Sequence, residues 1–487
     1  MKNVILFAVL IFFILGCDTN PFHTDKKSRL VSNSAPETHL FLIPTPDSLA
    51  GKPYGIDTTA SKQTLYWWGE DKDGQVIGYY YKWDFSDSMI WTTKETETFY
   101  VPIRTDYDEF TFQVWAVDND SLMDPTPAVQ TFPIFNSRPT ISFKNRSNPP
   151  APANNPNVTA YTFPTRTFFW DVEDADGVET IQAIFYAMDD TSNWIQLDGA
   201  DRSITLTELE PGPHRFYVKA EDVAGASSPV ISFPDPEDDQ TPNTWVVREP
   251  KGEVLLVNDY ALDQSTHEVQ SIYENILTDI VGTDGYSVWE IGTNSAPAIN
   301  PQNILPYATA DIRAYLGYFK KVIWFSHLGV PHISEAGLSL TQYVGNGGYV
   351  FITNGNQTQP DTSWTFTSID STYIVNPSGR LLAGVDILAS FSNDSTENAA
   401  NDLTTGKLIG NRVSALKPGT GAQVVYRMQP DSTATIAVPY IGSPVVGIRY
   451  PIGQGESVYF SLPLHYCDGR GNMADLIRYL IEVEFNK

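Results

Sequence analysis

One unit occurs twice in the first half of the chain, and this repeat limits the fold more than any other feature. The first copy runs Leu65-Tyr66-Trp67-Trp68, Glu70-Asp71-Lys72-Asp73-Gly74, Tyr79-Tyr80-Tyr81 and Phe110-Thr111-Phe112-Gln113-Val114-Trp115-Ala116-Val117-Asp118. The second runs Phe168-Phe169-Trp170, Glu173-Asp174-Ala175-Asp176-Gly177, Ile184-Phe185-Tyr186 and Arg215-Phe216-Tyr217-Val218-Lys219-Ala220-Glu221-Asp222. The elements recur in the same order at a nearly constant offset, which marks a tandem repeat. From His39 to about Pro234 short strand-like runs are separated by Pro, Gly, Asn and Asp, with no helical period. That pattern predicts two β-sandwiches, over 38–137 and 138–234.

The second copy contains Leu209-Glu210-Pro211-Gly212 followed by Phe216-Tyr217-Val218-Lys219-Ala220. This resembles the Leu-x-Pro-Gly turn and following strand of fibronectin type III and related immunoglobulin-like modules. Pro and Gly set the corner, while Phe216 and Val218 point to one face. The first copy departs at this turn, reading Arg104-Thr105-Asp106-Tyr107-Asp108. Trp68 and Trp170, aligned between the copies, are expected in the cores. Trp83 and Trp91 have no counterpart in the second copy and are the candidates for a surface that stacks on sugar rings.

Asp71 with Asp73, and Asp174 with Asp176, place carboxylates at alternate positions before a glycine, as calcium loops do. Neither copy has the later Glu of an EF-hand. Asp and Gly also suit a plain strand connection, and calcium is the only cofactor the chain suggests.

The N-terminus reads Met1-Lys2-Asn3, an unbroken apolar run from Val4 to Leu15, then Gly16-Cys17. This is the layout of a secretory signal peptide, 1–16. Twelve apolar residues are too few for the roughly 20 of a spanning helix. The ending resembles the lipobox of bacterial lipoproteins, which implies cleavage before Cys17 and acylation of its thiol, with palmitate among the chains attached. Residues 17–37 are mostly polar and read as a stalk between lipid and body. The expected location is the cell envelope, outside the cytoplasm, at an inner or outer membrane that the sequence leaves unassigned. Cys467 is then the one remaining thiol, so no intramolecular disulfide forms and stability rests on the cores.

Loss of the 16-residue signal leaves 471 of the 487 residues, and loss of Lys2 takes the formal charge from −27 to −28. Such a field repels nucleic acid and anionic headgroups and excludes a nucleic-acid partner. The expected partners are the membrane, through the lipid, and a glycan or protein ligand.

After an acidic, Pro-containing stretch at 235–250, read as a linker, the pattern changes. Glu253 to Asn258 is a buried strand, and Ser265 with Glu268 forms a capping box ahead of a helix that Gly282 ends. Val269, Ile272, Tyr273, Ile276, Leu277 and Ile280 share one face of it. Strands at Tyr286 to Ile291, Lys321 to Ser326, Tyr349 to Thr353 and Ser457 to Leu462 alternate with helices at Asp311 to Phe319, Glu335 to Val344 and Met473 to Val483. This predicts a flavodoxin-like α/β domain over 251–487, a parallel sheet covered on both faces.

The order of elements resembles the class I glutamine amidotransferase-like superfamily. That resemblance implies a nucleophilic cysteine on a strand-to-helix turn, in a Gly-x-Cys-x-Gly setting, and a late His-Pro-Glu. Here the turn reads Phe351-Ile352-Thr353-Asn354-Gly355, so Thr353 stands in the cysteine's place and Phe351 in the first glycine's. The late strand reads Ser461-Leu462-Pro463, with Ser461 in the histidine's place. Without thiol and base the family's chemistry has no nucleophile, and the domain is expected to bind or support rather than catalyse.

Ligands of such sheets sit beyond the carboxyl ends of the strands. The candidate pocket there is Asp259, His327, Thr353, Asn354 and His465. His327, His465 and Asp259 together would suit a metal or acid–base work, although no spacing motif joins them. Cys467 reads as a buried, inert thiol. The expected function is a membrane-tethered binding or scaffold lipoprotein; the alternatives are an envelope or extracellular hydrolase acting on glycan or peptide, and a structural subunit of an envelope complex.

Overall fold

The structure, a computed structural model, describes residues 33–41, 62–101, 107–144, 159–235, 244–260, 266–291, 305–327, 332–355, 364–375, 380–410, 413–435 and 440–487. Cys17 and the signal peptide lie outside these residues, as does Ser265 of the capping box. The fold is mostly β and divides into two compact units, Met1–Val101 with Asp108–Ile134, and Pro102–Tyr107 with Phe135–Lys487.

In the first unit, strands Glu37–Phe41, Lys62–Glu70 and Thr96–Tyr100 form one antiparallel sheet. Strands Ile90–Thr92, Val76–Trp83, Tyr107–Asp118 and Ala128–Phe135 form a four-stranded sheet. Alternation along Tyr107–Asp118 turns Phe110, Phe112, Val114 and Ala116 inward. Trp67 is 1% exposed and lies 5.7 Å from Phe112 and 6.4 Å from Tyr79, ring to ring. Trp68 was expected in this core, but it is 42% exposed and stacks on His39 at 4.1 Å. Counting from the Asp-x-Asp-Gly turns pairs Trp170 with Trp67, and a one-residue slip along a strand reverses the face. Trp83 was expected at the surface, yet it is 5% exposed and packs against Phe112 and Phe132.

The second sandwich pairs Thr140–Phe143, Arg166–Glu173 and Ser203–Leu206 in one sheet. Ile195–Asp198, Ile181–Met188, Phe216–Asp222 and Ile231–Phe233 form another. Phe168 stacks on Phe216 at 4.0 Å between them, beside the fully buried Trp170. Within the expected linker, Thr244–Val247 is a strand that joins Gly212–His214 and Thr159–Thr162, and Trp245 is fully buried. Its Trp and Val at alternate positions face inward despite the surrounding Pro and acid.

The remaining chain is built on a nine-stranded sheet. Tyr286–Glu290, Val254–Tyr260, Lys321–His327, Tyr349–Asn354 and Gly455–Phe460 are neighbours and parallel. The sheet then continues antiparallel through Val445–Ile452, Gln423–Met428, Asp386–Ala389 and Leu403–Thr404, so it is mixed rather than wholly parallel. Among the described residues the connections of this half hold a single six-residue helix, Ser395–Ala400, between Asp386–Ala389 and Leu403–Thr404, so the strand–helix alternation seen in the sequence covers only the parallel half.

Helices cover both faces. Tyr273 and Leu277 of Thr266–Val281, and Leu476 and Leu480 of Met473–Glu482, pack against Leu256, Tyr260 and Phe351. On the other face, Ile312 and Leu316 of Thr309–Gly317, and Leu340 and Val344 of Ile333–Gly345, pack against Leu255, Val257 and Trp324. Gly282, at φ +79°, ends the first helix as expected. The second sandwich reaches into the latter core: Phe163, 3% exposed, meets the rings of Tyr315 at 5.2 Å and Phe319 at 5.4 Å.

Candidate functional site

Side chains alternate across the sheet, and this splits the expected pocket in two. Asp259 follows the faces of Leu255 and Val257, whereas Tyr260 follows Leu256, so the strand Val254–Tyr260 ends with one polar group on each side. Asp259, Ser326 and Asn354 therefore lie on one face and Thr353 with His465 on the other. His327 is the ladder partner of Tyr260 at the strand ends. Of the expected trio, Asp259 and His465 lie on opposite faces of the sheet, and the side chain of His327 is not among those described.

Asp259 is 3% exposed and fully engaged. Its Oδ1 pairs with Nδ1 of His332 at 2.8 Å, and its Oδ2 accepts from the His332 backbone N–H at 2.8 Å and from Trp324 Nε1 at 3.0 Å. Burial pushes the Asp259 carboxyl up, against the opposing pull of His332 and Trp324. For His332 burial favours the neutral ring, but the hydrogen bond and charge of Asp259 outweigh it and leave the imidazole raised. Ser326 Oγ donates to Asn354 Oδ1 at 3.1 Å on the same face.

His332 escaped the sequence reading because it lies in the loop before the helix Ile333–Gly345. The available signal was its place: a histidine at a helix start just past a strand whose neighbour ends in Asp.

On the opposite face the hydroxyl of Thr353 is 1% exposed, donates to the Leu462 carbonyl at 2.7 Å and accepts from the Leu464 N–H at 2.9 Å. It clamps two chain segments together. Ser461 Oγ donates to the Ser414 carbonyl at 2.7 Å. The thiol of Cys467 is fully buried, and burial pushes its pKa far up, so it stays protonated and inert. His465 lies 5.8 Å from Tyr260 and 4.7 Å from Tyr466, ring to ring.

The acidic turns hold backbone. Asp71 accepts from the Asp73 N–H at 3.3 Å, and Asp73 from Ser34 N–H at 3.2 Å. Asp174 accepts from the Asp176 N–H at 2.9 Å, and Asp176 from Ser137 N–H at 2.6 Å. Among the described residues no group of three or more His, Cys, Asp or Glu is arranged to hold a metal ion. Trp91 is 42% exposed, packs edge-on to Tyr80 at 5.0 Å and covers Gly78, where a Cβ would come within 2.4 Å of the indole. Among the described residues no helix is long and apolar enough to cross a membrane.

No family model matches the chain. Among solved structures, it is similar to the fibronectin(III)-like modules of CbhA from Clostridium thermocellum, at 17% identity over 39% of this chain and 88% of that one, TM-score 0.18. It is similar to a two-domain fibronectin type III segment of chicken tenascin, at 16% identity over 36% and 92%, TM-score 0.19. It also matches a catalytic mutant of a GH42 β-galactosidase from G. stearothermophilus, at 13% identity over 49% of this chain and 30% of that one, TM-score 0.29.

Proposed function

We propose that the chain is an extracytoplasmic lipoprotein, tethered by acylation of Cys17, that binds or scaffolds in the cell envelope through fibronectin type III or immunoglobulin-like modules and a non-catalytic, flavodoxin-like, amidotransferase-like domain. One observation carries the non-catalytic part. The Thr353 hydroxyl, in the place of the family's nucleophile, is buried and spends both its proton and a lone pair on backbone groups. A nucleophile needs an adjacent base and open approach. The ligand class that fits the exposed Trp91 is a neutral glycan, whose ring packs on an indole face.

The test has two readouts. Ammonia release from glutamine is expected at background for the wild type and for Thr353→Cys, while Cys17→Ala abolishes detergent-phase partitioning. Turnover by the wild type overturns the non-catalytic reading, and unchanged partitioning of Cys17→Ala overturns the tether.

A second reading, an envelope hydrolase acting on glycan or peptide, draws on the Asp259–His332 pair. An imidazole oriented by a buried carboxylate is the base half of a hydrolytic site. Its nucleophile half has no counterpart here: among the described residues no hydroxyl or thiol is hydrogen-bonded to the second ring nitrogen of His332.

A further inference from the structure

The amino ends of the parallel strands form a second concavity, at the opposite edge of the sheet from Asp259. The turn Gly345-Asn346-Gly347-Gly348 and the residues ahead of the strand Lys321–His327 enclose a cavity of about 280 Å³. Its polar lining includes Arg313, Lys320, Ser339, Gln342 and Asn346. Both charged members are positive, in a chain whose formal net charge is −27. Neither Arg313 nor Lys320 makes an ion pair with another described residue.

The cavity is built rather than incidental. Lys320 Nζ is held by the Gly347 carbonyl and lies 5.2 Å from the Tyr349 ring, which fixes its ammonium while leaving donors over. Gly347 takes φ +94°, and a Cβ on Gly348 would come within 2.3 Å of the Tyr343 ring that forms the wall. The second, independent observation is Ser339. Its hydroxyl is buried, has no hydrogen-bond partner, and belongs to a residue, 1% exposed, that lines the same cavity. Buried hydroxyls are nearly always met, so an unmet one beside two uncompensated cations marks the place of a missing acceptor.

We propose that this cavity binds a phosphate-type oxyanion, with Arg313 as the forked donor, Lys320 as the point charge and the Ser339 hydroxyl donating from beneath. The space is several times the roughly 30 Å³ share of a water, enough for a tetrahedral anion, and guanidinium with ammonium is the usual pairing for phosphate. The same group is offered by a free phosphate compound and by the headgroup of an anionic lipid. The site is separate from the carboxyl-edge groups, so its fate is independent of the reading above.

The experiment uses the full mature chain. Calorimetric titration with inorganic phosphate, and flotation with phosphatidylglycerol against phosphatidylcholine vesicles, separate the two sources. Saturable one-to-one phosphate binding is expected, weakened at least tenfold by Arg313→Gln and severalfold by Ser339→Ala. Arg313 is exposed, so its replacement leaves the core intact, and an unchanged thermal midpoint confirms this. Preference for phosphatidylglycerol that Arg313→Gln removes, without phosphate binding, assigns the headgroup. Binding in neither arm, or binding that Arg313→Gln leaves unchanged, overturns the proposal.

Discussion

Burial pushes the Asp259 carboxyl above its ordinary range, while the bond to that carboxyl leaves His332 raised despite its own burial. A group with a raised folded pKa takes up its proton more readily in the folded chain. The stability His332 contributes is therefore complete below its unfolded value of about 6.5 and is lost as pH rises through the folded value. Asp259 acts in the same sense, since its raised carboxyl also favours the folded state at lower pH. Replacing His332 with Gln strips a buried carboxylate of its partner, which costs about 3 kcal/mol. The gap in thermal midpoint between wild type and His332→Gln is expected to be wider at pH 6 than at pH 9; an equal gap at both would contradict the pairing. Asp259 was legible from its place at a strand end. His332 was not, because a loop residue's partner depends on the path of the chain in space. Trp67 and Trp68 show the same limit at closer range, since a pair of adjacent indoles does not say which of them faces in.

At the next scale the hydroxyl of Thr353 ties the strand Tyr349–Asn354 to the segment leaving Gly455–Phe460, and Gly355 packs where a Cβ would lie 2.5 Å from Pro463. Thr353→Val keeps the shape but leaves the Leu464 N–H without an acceptor, at a cost of about 1–3 kcal/mol. Thr353→Ser keeps the clamp and is expected to cost less; urea unfolding of the two variants checks the order, and equal losses would show that the methyl rather than the hydroxyl matters. The strands and helices of the parallel half were legible because their hydrophobic periods are long. Leu403–Thr404 and Thr244–Val247 were not, being two and four residues amid breakers, with pairing supplied by distant segments.

Over the second unit as a whole, the sandwich lends Phe163 to a core of the nine-stranded sheet, and the two parts share a set of buried bonds. Asp311 accepts from the Thr167 N–H at 3.0 Å and hydroxyl at 2.6 Å, and Thr165 bonds Tyr318 at 2.7 Å. Arg166 lies over Phe233 at 4.3 Å, and burial pulls its guanidinium down to about 10. A fragment spanning 136–487 is expected to unfold in one calorimetric transition. Phe163→Ala should lower that transition as a single event, by about 3–5 kcal/mol; a split into two transitions would show that the parts are only neighbours. The separate hydrophobic patterns of the two regions were legible, but the bond between them was not. Phe163 looks in the sequence like any strand-end aromatic of its own sandwich.

The seat of Phe163 also bears on how such a chain can be assembled by recombination. A gene fusion joined at residue 251 would carry the sheet away from the ring that fills its core, leaving a hole in one product and an exposed phenyl in the other. The exchangeable cassette therefore begins near residue 136, and the second sandwich is inherited with the sheet it completes.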